Sequence, residues 1–403
     1  MIARELLEFE DISFSQSESR IRVRLYRNFY FDMEGEALKR LGNPAVIDGS
    51  IEVENPRRLD MLLDSGFNEM RNSISGNFAK FISRRSGIPL IGSGSFGIVD
   101  RNSSLIEVKP ITGCNLNCIF CSVDEGPSTR KIFDYVVDYS YIVEELAQLL
   151  EFKKCRAQVY INAHGEPTLY SPLPKLVKGI AGLGVDKIIM NTNGLFLHDK
   201  LLQELAEAGL SRINLSLNAV TPEMARKLSG TRFYNVELVK QAAFRIAEHM
   251  ELLIAPVLLP GINDSEMPEI VRFAKSVSQQ SKKNVMVGIQ NFLNYERGRN
   301  PVKALGMQEF YARLRAIGKE TGVNLMLDTG DFGIEPTEKL PKPFRKGQIV
   351  EAAIVCNGRY PSERLAVAGN RNILVRGCMK KEGSIVRLKL LRDKHNIFLG
   401  KEA

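Results

Sequence analysis

Three cysteines crowd one short stretch, Gly113-Cys114-Asn115-Leu116-Asn117-Cys118-Ile119-Phe120-Cys121. Thiolates bind zinc and iron–sulfur clusters. A structural zinc site closes a tetrahedron with four ligands, yet no other cysteine or histidine lies within about thirty residues of these three. The spacing C-x3-C-x2-C therefore argues for metal chemistry with one position left to fill, and against a closed zinc site.

Such a loop needs a scaffold, and the chain supplies a repeating one. From about residue 105 to 328, apolar strand-like runs ("SLIEVKP", "AQVYINA", "DKIIMNT", "RINLSLNA", "ELLIAPVLLP", "NVMVGIQNF") alternate with helical patterns such as "YIVEELAQLLEF" and "VELVKQAAFRIAEHM". Parallel strand pairs need crossovers of a dozen residues or more, so this order predicts an α/β fold, a partial (β/α)6 barrel. The cysteine loop directly follows the first of these strands. Catalytic groups of such barrels collect at the carboxyl ends of strands. The expected division is an α+β accessory domain over 1–100, the partial barrel over 101–335, and a small all-β barrel over 345–403. In the first part, "RIRVRLYRNF" alternates Arg20, Arg22 and Arg24 with Ile21, Val23 and Leu25, as in a half-exposed strand with a basic face. In the last, short β-rich runs alternate with Gly and Asn turns after the linker "TEKLPKPFRKG".

The cysteine loop, with Phe120 just before its last thiol, resembles the signature of the radical S-adenosylmethionine (SAM) superfamily. The resemblance implies that Cys114, Cys118 and Cys121 hold a [4Fe-4S] cluster whose fourth iron is chelated by the amino and carboxylate groups of SAM. It extends to five more strand ends. "AHGEPTL" carries His164, Gly165, Glu166 and Thr168, similar to an element whose backbone is aimed at the SAM amino group, with His164 where many relatives have a small residue. "NTNG" carries Asn193 and Gly194. "NLSLNA" puts Ser216 and Asn218 on one face by the strand period of two, at positions that reach the ribose and the methionyl carboxylate in relatives. "LLPGIND" and "IQNF", with Gln290, resemble the wyosine synthases and similar iron–sulfur oxidoreductases. The chemistry implied is one-electron reductive cleavage of SAM, with a 5'-deoxyadenosyl radical removing a hydrogen atom from the substrate. The implied electron donor is a ferredoxin or flavodoxin.

Other patterns compete less well. Gly92-Ser93-Gly94-Ser95-Phe96-Gly97-Ile98-Val99 fits the protein-kinase glycine loop and Asp331-Phe332-Gly333 spells DFG, but no H-R-D-x-x-x-x-N element exists. The glycines are expected to permit a tight hairpin. The chain has no cysteine before Cys114, unlike methylthiotransferases with a second cluster domain, and the cobalamin pattern begun by Asp393 and His395 lacks its glycine at the required place. Cys155, Cys356 and Cys378 read as small buried hydrophobes, with Cys378 in "RGCMKK" the first candidate for a catalytic thiol if one exists.

The substrate class rests on the carboxyl-terminal segment, which resembles a TRAM domain, a small RNA-binding β-barrel, through "KGQIVEAAIV", "GRY" and "AVAG". RNA, with tRNA foremost, is the expected substrate, with Arg359, Tyr360, Arg364, Arg371 and Arg376 as RNA contacts and Lys380 and Lys381 beside them. The net charge of +8 and pI near 9.1 agree with an anionic partner. Modification of a protein or peptide is the alternative, and a non-catalytic iron–sulfur RNA-binding protein the alternative of another class. The acidic amino terminus "MIARELLEFEDISF", the absence of a long apolar run and the sparse cysteines predict a cytoplasmic protein without a membrane partner.

Overall fold

A computed structural model describes residues 4–42 and 44–403; the first three residues of the amino-terminal segment read above lie outside them. Six strands, Leu105–Lys109, Gln158–Ile161, Lys187–Thr192, Arg212–Leu215, Glu251–Ile254 and Val285–Val287, lie side by side in chain order, all parallel. This is the expected partial barrel. One face of each strand packs under the crossover helices: Ile106, Val108, Val159, Ile161, Met190 and Ile213 are fully buried. The other face is partly polar, with Glu107, Asn191, Arg212 and Asn214 interspersed among Leu105, Tyr160, Ile189 and Leu253. That polarity interrupts the near-continuous apolar runs typical of parallel strands and marks a barrel interior that holds polar groups.

The division expected near residue 100 is crossed twice. Gly97–Asp100 extends the barrel sheet as an antiparallel edge strand. Phe133–Val137, from beyond the cysteine loop, instead joins the amino-terminal sheet by parallel pairing with Phe78–Ile82. That sheet runs Phe133–Val137, Phe78–Ile82, Met70–Asn72, Phe29–Glu34, Arg20–Leu25, Ile12–Ser17. The cysteine loop thus hangs between two sheets, with each end anchored in a different one.

Residues 349–402 close a five-stranded barrel with its own core of Val350, Ile354, Ile373, Val375, Leu388 and Phe398. It docks on the glycine-rich loop. Asn372 donates its N–H to the Ile91 carbonyl (2.9 Å) and Phe398 to that of Gly92 (2.9 Å). Gly92 has φ +129°, and a Cβ there would stand 2.3 Å from the Asn372 backbone nitrogen, so only glycine permits the approach. The kinase-like pattern is a docking loop rather than a phosphate cradle or a hairpin turn. The DFG residues sit at the amino ends of the barrel strands, where the carbonyls of Phe332 and Gly333 accept the Gln158 side-chain amide.

Candidate active site

The cysteine loop begins where Thr112–Gly113 pairs in parallel with His164–Gly165. Gly165 has φ +146°, and a Cβ there would lie 1.8 Å from the Gly113 carbonyl oxygen. The two backbones touch, which brings the thiols against the Glu166 segment. The loop is then pinned along its length: Asn117 N–H to Ser229 O (2.9 Å), Ile119 N–H to Leu228 O (3.1 Å) and Arg299 N–H to Cys121 O (2.9 Å). Arg299 also reaches Cys118 O (3.1 Å) and the Asp124 carboxylate (2.7 Å).

Cys114, Cys118 and Cys121 share a cavity of about 350 Å³ with Phe120, Gly165, Glu166 and Asn193, and with Ser216, Asn218 and Gln290 from the later strand ends. Backbone N–H groups point at two of the sulfurs, from Leu116 to Cys114 (3.4 Å) and from Glu125 to Cys121 (3.3 Å). Burial and then the neighbouring Cys118 push the Cys114 thiol well up; burial and Cys121 push Cys118 up to about 12. Such thiols become thiolates only when a cation joins them, which is the behaviour of a metal-cluster donor set. Among the described residues no three His, Cys, Asp or Glu side chains close on a point fit for a single ion.

Glu166 is the organiser of the facing wall. One carboxylate oxygen accepts Thr168 N–H (3.1 Å), Thr168 hydroxyl (2.8 Å) and Thr192 hydroxyl (2.6 Å); the other accepts Asn193 N–H (2.8 Å). Asn193 in turn donates to Asn115 (2.9 Å) in the cysteine loop. Asn218 accepts from Val257 N–H (2.9 Å) and donates to Ser216 O (3.2 Å). These bonds spell out a supporting role for Glu166 and Asn218, whereas Ser216 and the backbone of Gly165 face the cavity directly.

Several expected residues fall elsewhere. Thr168 bonds Glu166 and does not line the cavity, and His164 turns away from it. Burial, followed by the charges of Lys109, Lys131 and Arg359, holds His164 far below its ordinary pKa, hence neutral. Cys378 is fully buried in the core of the terminal barrel, so it is packing and not a catalytic thiol. Arg359, expected to meet RNA, is only 3% exposed. Its guanidinium lies 2.8 Å from both Glu125 and Asp134, while Lys131 pairs with Glu125 as well. Of the remaining expected RNA contacts, Tyr360 and Arg376 meet the loop of Glu296 and Arg297 at the docking seam, while Arg364 and Arg371 bond carbonyls within the terminal barrel itself. Tyr360 lies under Arg297 (4.4 Å), Arg376 pairs with Glu296 (3.3 Å), Arg364 bonds the Lys380 carbonyl (2.8 Å), and Arg371 bonds the Asn370 carbonyl (2.8 Å). Barrel cations that could reach a phosphate backbone are thus fewer than their number in the sequence.

Other groups were overlooked. The Asn191 side-chain oxygen is buried without a protein partner at the cavity, and the Asn115 side-chain nitrogen is unpaired in the cysteine loop; Asn191 opens the same "NTNG" and was legible as a strand-end amide. Tyr234, Tyr295 and Glu125 line the cavity without any motif to announce them.

The sequence pattern of the radical SAM superfamily matches residues 108–274, the stretch that builds this cavity. This chain belongs to the radical SAM superfamily. It is 37% identical over 388 residues to an uncharacterized protein of Methanocaldococcus jannaschii, a similarity covering 88% of this chain and 89% of that one. It is also 30% identical over 197 residues to GTP 3',8-cyclase of Chlorobaculum tepidum, covering 48% of this chain and spanning 56% of the cyclase. Among solved structures, a spore photoproduct lyase variant with bound AdoMet and dinucleoside spore photoproduct superposes with a TM-score of 0.44 at 14% identity, over 61% of this chain and 80% of the lyase. The superfamily's cofactors are a [4Fe-4S] cluster and SAM, and the half-buried three-thiol set of this cavity fits them. Among the described residues no helix is long and apolar enough to cross a membrane.

Proposed function

We propose that this radical SAM enzyme modifies RNA, with tRNA the preferred substrate. The observation that carries the reading is the cavity: three thiols, the Gly165–Glu166 backbone and three further strand ends converge on one space. Cys114, Cys118 and Cys121 would hold the cluster, which supplies the electron for reductive cleavage of SAM. The chain contributes the rest. Gly165 and Asn193 offer backbone and amide groups to the methionyl end, Ser216 offers a hydroxyl to the ribose, and Asn191 offers an unpaired oxygen. Leu228, Ala219, Val257 and Phe292 supply apolar walls that keep water from a reactive species. A TRAM-like reading of the terminal barrel supports RNA, as does its seam at the cavity rim, where Tyr295 and Glu296 stand beside Arg376. The wyosine-synthase-like resemblance of the strand-end motifs supports the same class, with a ferredoxin or flavodoxin as the reductant.

A purine nucleotide is the second reading, favoured by the identity to GTP 3',8-cyclase. One experiment separates them. The anaerobically reconstituted protein is incubated with dithionite, SAM and either RNA from a deletion strain or GTP, and nucleosides and 5'-deoxyadenosine are measured by mass spectrometry. The RNA reading requires a new modified nucleoside and faster 5'-deoxyadenosine release with RNA; stimulation by GTP alone would transfer the assignment.

A further inference from the structure

The amino-terminal sheet has one face in the core and one open. Ile21, Val23, Leu25, Phe29, Phe31 and Met33 all point inward and are buried. On the opposite face, residues stand directly across from one another in a single row: Arg24 opposite Tyr30, Tyr30 opposite Arg71, Arg71 opposite Phe78. Cross-strand partners share a face, so this row alternates guanidinium, ring, guanidinium, ring. With strands about 4.8 Å apart it extends roughly 14 Å.

The chemistry of the row is selective. Arg71 stacks over the Phe78 ring at 4.0 Å, and Arg22, one position along, stacks over Tyr30 at 4.1 Å. Phe78 is 47% exposed even with the Arg71 guanidinium over it, an unusual cost for a ring. Arg22 is neutralised by a bidentate pair with Asp32 (2.7 and 2.8 Å). Arg24 and Arg71 have no carboxylate partner among the described residues; they bond the Ser15 hydroxyl (2.7 Å) and the Gly76 carbonyl (3.1 Å). The row also leads toward the terminal barrel. Lys80, two residues beyond Phe78 and on the same face, lies 3.8 Å from Glu382, whose loop exposes Lys380 and Lys381.

We propose that this open face is a binding platform for single-stranded RNA, with bases stacked on Phe78 and Tyr30 and phosphates at Arg24 and Arg71. Uncompensated cations set between flat rings match alternating phosphate and base, and readers of single strands use sheet faces with aromatic rings in this way. The inference deepens the RNA reading above and rests on it, but relocates the contact from the buried Arg359 to the opposite side of the shared sheet.

The test uses the full chain and a fluorescein-labelled 12-residue oligouridine, with anisotropy read from 50 to 200 mM salt. The wild type is expected to bind, and the same probe annealed to oligoadenosine to bind more weakly. Phe78→Ala, at an exposed position, should weaken binding about tenfold with little change in salt slope, and Phe78→Tyr should restore it. Arg24→Gln with Arg71→Gln should weaken binding and flatten the log–log slope by about 1.4, two phosphates at about 0.7 each for a single strand. Undiminished binding by both variants would overturn the platform and leave the RNA reading standing, with Lys380→Gln and Lys381→Gln as the next pair. No RNA binding by the wild type at any salt would overturn both. Preference for polyglutamate over oligouridine would overturn nucleic acid as the occupant.

Discussion

Two loops meet at Glu125, and their electrostatic plans are opposite. The cysteine loop gathers three thiols with too little positive charge around them to make them thiolates: burial and the neighbouring Cys118 push Cys114 up, and burial and Cys121 push Cys118 up against the opposing pull of Arg299. The Arg359 loop buries two cations, Arg359 and Lys131, against two carboxylates, Glu125 and Asp134. The first set is incomplete without a positively charged group, and the second is already neutral. A buried set that lacks its counter-charge points to a ligand, whereas one that is complete points to architecture. Glu125 joins them, because its N–H faces the Cys121 sulfur while its carboxylate holds Arg359.

The largest effect that would break this contrast lies in the cysteines. Replacing Cys114, Cys118 and Cys121 with Ala should abolish iron and sulfide binding and all SAM cleavage, while thermal unfolding of the cluster-free protein stays within a few degrees of the cluster-free wild type. Retention of stoichiometric iron by the triple variant would show that the thiols are not the donors.

Next in size is Arg359→Met. Removing one partner from a buried ionic set leaves uncompensated charge and costs about 3–5 kcal/mol, to be read as a lower urea midpoint. Adding Glu125→Gln should recover part of that loss, since it removes the stranded carboxylate. Additive losses in the double variant would mean that the pair is uncoupled. Deleting the terminal barrel from Lys346 onward inflicts the same lesion, so it cannot serve as a neutral way to remove an RNA-binding module.

The contrast also explains what was legible in the residues. The thiols and the strand-end motifs could be read because the chemistry is local: three cysteines in one loop, and polar residues just past each apolar run. The six parallel strands followed from the same alternation. Arg359 could not be read, because its carboxylates lie 234 and 225 positions away and nothing near "GRY" indicates them. Phe133–Val137 was hidden for a similar reason. Its partner, Phe78–Ile82, lies in the amino-terminal region, so a strand between the cysteine loop and the helix Tyr139–Lys153 had no visible neighbour. Cys378 looked reactive beside Lys380 and Lys381, yet the turn that follows Arg371–Arg376 exposes those lysines and tucks the thiol into the barrel core, where its N–H bonds the Ser362 carbonyl.

A smaller effect sharpens the division between supporting and contacting groups. Glu166 accepts hydrogen bonds on both oxygens from three residues. Glu166→Gln replaces one acceptor by a donor and strands either the Asn193 N–H or the threonine pair. The cluster should load normally, and SAM affinity, measured by calorimetry on the loaded protein, should fall about tenfold, the worth of about 1.4 kcal/mol. Loss of the cluster in this variant would move Glu166 from the SAM wall to the folding of the cysteine loop.

The smallest effect concerns His164, which stands between the two loops. It pairs across from Thr112 at the root of the cysteine loop and feels the charges of Lys131 and Arg359 from the ionic set. Burial and those charges depress its folded pKa far below the ordinary value of 6.5. As pH falls through 6.5 the unfolded chain takes up a proton that the folded chain refuses. Folding stability is therefore complete above 6.5 and is lost below it, at up to about 1.4 kcal/mol per pH unit for this group alone. His164→Gln has no proton to refuse. Its urea-derived stability should decline less between pH 7.5 and 5.5, leaving a difference of about 1 kcal/mol at the acid end relative to the offset at pH 7.5. Carboxylate protonation affects both proteins alike and cancels in the comparison. Parallel curves would mean that the imidazole is solvated and titrates normally, and that the cations of the Arg359 loop are screened from the SAM wall. A converging pair of curves would instead make the neutral histidine the point at which the completed ionic set is felt by the incomplete one.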